Sequence, residues 1–238
     1  MSIDLNRRSA EAALEQSGDF IQTHYVHAID YMVYGHLQLG EFNEAARLID
    51  EMNAINNHQI SFGSAYALAA APVRLLLERD KWAEAAALPP DMHPAIPWEK
   101  FPQTVVMRWF AKGLGVARSG DVAAARAAVA ELDALHAAME GRGQGYWAKL
   151  TEGQILTVEA WIELAEGNEE LALTRQRAAA DLEDDIGKSP VTPGHVLPAR
   201  ELLGDMLAQL GRHDEAADAY RATLRLSPNR ARSAAALD

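Results

Sequence analysis

Three side chains near the start of the chain have types and spacing suited to holding a metal ion. His24, His27 and Asp30 recur every three residues, which sets them along one side of a helix. Imidazole and carboxylate are ordinary ligands of zinc and other divalent cations. Six residues of helix rise about 9 Å, so the three reach one ion only with help from a second helix. A His27–Asp30 hydrogen bond, or a histidine buried between helices, is the competing and preferred reading. His195 sits in the run GKSPVTPGHVLP beside Gly194 and joins this cluster only if that run folds inward; a plain connection is expected. No GxSxG, HExxH, Walker-type or GxGxxG pattern occurs in a strand–turn–helix context. No catalytic residue is therefore assigned, and apart from that divalent metal no cofactor is expected.

Something must position those side chains, and composition points to helices. The 238 residues are rich in Ala, Leu and Glu and poor in aromatics and β-branched runs, which favours helix throughout. The formal charge of −12, from 34 acidic and 22 basic residues, argues against nucleic acid or an anionic membrane as partner. With no cysteine, disulfides and thiolate metal sites are excluded. No apolar stretch approaches a membrane span, and the first residues lack an apolar signal core. A cytoplasmic location is expected, or a periplasmic one if the chain belongs to a longer secreted protein.

One punctuation recurs five times: an apolar helix, a tight turn, then a second helix with Ala near its start. It reads Gly40–Ala45, Asp80–Ala85, Gly120–Ala125, Gly167–Ala172 and Gly211–Ala216. Glycine at the turn takes the left-handed conformation that closes the first helix, and the alanine lets the second approach closely. The turns are separated by 40, 40, 47 and 44 residues. Two connections stand out. Residues 89–103 carry Pro89, Pro90, Pro94, Pro97 and Pro102 with Trp98, and residues 187–198 form the second proline-rich run. Pro72 should kink its helix. GRGQG at 141–145 should end one helix and begin the next. The acidic run 181–185 is expected to fray, or to meet a basic neighbour such as Arg177, because acids are unfavourable at a helix C-terminus.

Leu203, Gly204, Leu207, Gly211, Ala216, Tyr220 and Pro228 give a spacing that resembles a tetratricopeptide repeat, whose paired helices stack on their neighbours. The stretches HAIDYMVYGHLQLGEFNEAARLIDEM, WAEAAALPP and the segment from Ala180 to Leu224 look like the C-terminal part of longer bacterial proteins of that family without an assigned activity. The resemblance implies an all-α, right-handed solenoid of antiparallel helix pairs, with units near 20–57, 62–90, 103–138, 147–186 and 196–228. The intervals exceed the usual repeat of about 34 residues, so an irregular array is expected, with residues 1–17 as an N-terminal helix or cap. Counting from the turns, the resemblance places His27, Asp30, Tyr34, Gln38, Arg74, Glu78, Phe110, Arg118, Trp161, Glu201 and Asp205 on the concave face. Ile29, Met32, Val33 and His36 would face the partner helix. Family members that grip a C-terminal carboxylate carry Lys and Asn where this chain has Asp30 and Tyr34, so that subtype is not expected.

The expectation is a non-catalytic scaffold that holds a peptide or protein segment in its concave groove. The alternative is a small-molecule or metal-binding protein, conceivably an enzyme, with a pocket around His27, Asp30 and Tyr34. A third reading is a fragment that self-associates, as a homodimer, through its N-terminal helix.

Overall fold

The computed structural model describes residues 2–89 and 93–238; Pro90 and the limit drawn at residue 90 lie outside them. The described chain is all-helical. Helix α1 spans Ile3–Glu15, α2 Thr23–Gln38, α3 Phe42–Asn53, α4 Phe62–Glu78, α5 Trp82–Ala86 and α6 Pro102–Arg118. Then come α7 (Val122–Gly141), α8 (Gly145–Ala165), α9 (Glu169–Ile186), α10 (Ala199–Gln209), α11 (His213–Leu226) and the short α12 (Ala231–Ala235).

The helices form two rows. Helices α2, α4, α6, α8 and α10 pack consecutively on one another, and α3, α5, α7, α9 and α11 each pack on the helix before them. Helix α1 covers the free side of α2. The core is built accordingly. Ala10, Val26, Ile29, Val33, Leu48 and Leu68 join α1–α4, while Val73, Phe110, Leu114, Val158, Leu202 and Met206 continue it through α10. Helix α4 serves both halves, since its alanine-rich sequence leaves little bulk on any side.

The five turns have the predicted backbone. Gly40, Gly120, Gly167 and Gly211 take φ values of 72°, 83°, 83° and 74°, and Asp80 takes φ 53° without being glycine. Helix α4 continues through Pro72 to Glu78. Between α7 and α8 the GRGQG run turns at Gly143, φ 69°. The acidic run does not fray: α9 continues to Ile186, and the basic neighbour is Arg200, which bonds Asp181 at 2.6 Å and Asp184 at 2.5 Å. Arg177 instead reaches Glu215.

Helix α12, which follows α11 at one end, packs against α2 at the other. Asn229, at φ 65°, makes the turn that brings it there. The expectation that the 187–198 run is a plain outer connection is corrected in the same region. It folds inward, with the Gly194 backbone against the Tyr34 ring: a Cβ there would lie 3.1 Å from Tyr34 Cε2.

Candidate functional site: the lined interior of the helical row

Helix α2 does not assemble a metal trio. His24 is exposed, and His27 is half-buried with its ring 4.9 Å from that of Tyr31. Burial lowers the His27 pKa, and nearby His24 lowers it further. Asp30 turns away into the seam with α4, where Arg74 donates to its carboxylate. The His27–Asp30 hydrogen bond does not form. Among the described residues no three His, Asp or Glu side chains converge as a metal site.

What forms instead is a buried polar knot. Arg74, 0% exposed, donates to Asp30, to the Tyr66 hydroxyl at 3.2 Å and to the Gly194 carbonyl at 3.1 Å. The Tyr34 and Tyr66 rings lie 5.9 and 5.8 Å from its guanidinium. Burial pushes the Asp30 carboxyl up to about 6, and Arg74 pulls it back only in part. Burial likewise pushes the Tyr66 phenol up to about 12. So Asp30, Tyr34 and Arg74 meet, and they hold the inward loop rather than an open pocket.

Gln38, Glu201 and Asp205 meet the segment that follows α11. The Gln38 Oε1 accepts from the Ala231 amide at 3.2 Å. Arg230 donates from Nε and Nη2 to the two Glu201 oxygens, each at 2.8 Å, and its Nη1 lies 2.7 Å from Glu78 Oε1. Arg232 reaches Asp80 at 2.6 Å, Asp205 at 2.7 Å and Glu201 at 3.2 Å. Ser233 also donates to Glu201, and Tyr220 to Asp205 at 2.8 Å. Burial acts to raise the Glu201 carboxyl, but the two arginines and Ser233 outweigh it and hold it below the usual range. Glu78 ends above it, because burial there outweighs Arg230. Burial opposes charge on Arg230 too, and Glu78 with Glu201 overcomes it.

No family model matches the chain, and comparison with curated proteins and with solved structures finds no match.

Of the remaining stripe residues, Phe110 is buried in the core, and Arg118 and Trp161 lie further along the row. The Arg118 guanidinium sits between two indoles, 3.9 Å from the Trp161 ring centre and 4.2 Å from that of Trp82. They border a cavity of about 280 Å³. A second cavity, about 140 Å³, is bordered by His195, Glu183, Lys188 and Arg200. His195 Nδ1 lies 3.5 Å from Glu183 Oε2, and Glu183 Oε1 accepts from the Ala199 amide at 2.8 Å. Burial raises the Glu183 carboxyl, with His195 pulling against it. His195 thus belongs to the start of α10 and not to the α2 histidines.

The residues missed from sequence are Arg230, Arg232 and Ser233. Their signal was present: NRARS follows Pro228, which marks the end of α11, and two arginines one residue apart in an acidic chain are conspicuous.

Proposed function

We propose that the chain is a non-catalytic binding module whose acidic inner wall holds an arginine-bearing protein segment. The module is a right-handed solenoid of tetratricopeptide-like helix pairs, and the even-numbered helices line its concave face. One observation carries the reading: residues 230–233 lie on that wall, with Arg230 and Arg232 against Glu78, Asp80, Glu201 and Asp205. The planar guanidinium fork suits the paired oxygens of Glu201, and a lysine would not reproduce it. Gln38 adds a backbone contact independent of side chain. The partner class is an Arg-x-Arg-Ser segment, from another protein or from a second copy by exchange.

The test replaces the resident segment. Arg230→Ala with Arg232→Ala leaves Glu78 and Glu201 buried without their arginines, so the melting temperature should fall. A peptide of residues 228–238 added in trans should restore it, and the same peptide with alanines for both arginines should not. If the double variant does not fold, Arg232→Ala alone, whose side chain is 14% exposed, carries the same comparison. Equal rescue by both peptides, or none by either, would defeat the reading.

A further inference from the structure

The arginines of the interior divide into two kinds. Arg74, Arg230 and Arg232 each meet at least one carboxylate. Arg118 meets none within ion-pair distance among the described residues; its close contacts are the indoles of Trp82 and Trp161. A guanidinium packed about 4 Å from two indole rings keeps its N–H edge for hydrogen bonds and is held with little remaining freedom. Its Nη1 is buried with no acceptor in reach, and so is the Nε1–H of Trp161, a residue 2% exposed. Buried donors without acceptors are costly, by about 1–3 kcal/mol each. The residues that carry them, Arg118 and Trp161, line one cavity of about 280 Å³, while the two atoms themselves stay covered.

We propose that this cavity is a binding site for a small monocarboxylate with an apolar body, its carboxylate held by the edge of the unpaired Arg118 guanidinium beside Trp161. The walls fit the rest of such a molecule. Trp82, Ala117, Leu164 and Ala165 are apolar, and Gln209 supplies one amide at the border. At roughly 30 Å³ per water, the volume takes several non-hydrogen atoms. The charge setting selects one negative charge over two. Asp80 and Asp205 act on Arg118 from nearby, with Arg232 opposing them, and the C-terminal ends of α6 and α8 meet here, where the helix dipole disfavours anions. A phosphate dianion meets more repulsion than a carboxylate. The cavity lies beside the wall that holds Arg230 but its lining includes neither Arg230 nor Glu78 nor Glu201, and the inference does not rest on the peptide reading.

The experiment follows the indole N–H resonance of Trp161, assigned by its loss in Trp161→Phe, while hexanoate, hexanamide or inorganic phosphate is titrated into the full chain. Hexanoate should shift it saturably, and hexanamide and phosphate should each bind at least tenfold more weakly. Arg118→Gln should lose the hexanoate response at least tenfold, whereas Arg126→Gln, on the exposed Glu166 pair, should retain it. If Arg118→Gln does not fold, the hexanoate–hexanamide comparison on the wild-type chain decides alone. Equal responses to acid and amide, phosphate binding as tightly as hexanoate, or a folded Arg118→Gln that titrates like wild type would overturn the proposal.

Discussion

Glu201 is the side chain on which most of the inner wall depends. It accepts from Arg230, Arg232 and Ser233 at once, and it is fully buried. Removing one partner of a buried ion pair typically costs about 3–5 kcal/mol, because the other is left uncompensated. Glu201→Gln should therefore lower stability by that amount in urea unfolding, with Arg230 left to Glu78 alone; a loss under 1 kcal/mol would refute the role given to it. Asp30 makes a second prediction, in pH. Its folded pKa is raised to about 6, against about 3.9 for a free aspartate, so folding favours the protonated acid. The associated stability is fully present below about pH 4 and is lost as pH rises through 6. Relative to Asp30→Asn, which does not titrate, the wild type should lose on the order of 2–3 kcal/mol between pH 4 and pH 7. A gap constant across that range would contradict it.

At the scale of elements, the turns were readable because each needs one residue in a left-handed conformation, and glycine advertises it. Asp80 shows the limit, since an aspartate holds the same position at φ 53° and was found only through the Trp82–Ala85 pattern beside it. Which residues of α2, α4 and α10 share a side was also legible, because helical spacing dictates it. Which groups they meet was not. Asp30 lies 44 positions from Arg74, and Gln38 lies 193 from Ala231; such pairings follow from the curvature of the row, which no local pattern encodes. The inward course of residues 187–198 was missed for the same reason. Close packing between elements gives a further prediction. In α6, a Cβ on Gly115 would sit 2.5 Å from the Trp82 carbonyl and 2.7 Å from the Ala86 amide, both backbone atoms of α5 or its edge. Gly115→Ala should destabilise by about 1–3 kcal/mol. Gly141→Ala, at the end of α7 with open space around it, should be neutral or slightly stabilising. Thermal unfolding of the two variants compares them, and equal effects would contradict the packing described.

For the molecule as a whole, the organising feature is that its two ends meet. Helix α12 lies against α2, and the arginines just before and within it join α4 to α10. No helix among the described residues is long and apolar enough to cross a membrane, and along this wall Glu78, Asp80, Glu201 and Asp205 meet Arg230 and Arg232. An acidic surface that already seats two arginines is suited to seating others, and the peptide reading depends on that step. The measurement that tests it most directly is calorimetric titration of a chain ending at Ser227 with the peptide of residues 228–238. Binding should be saturable and one-to-one, weaken with salt and be abolished by Glu201→Gln. A truncated chain that is folded by circular dichroism yet takes up no peptide would contradict it.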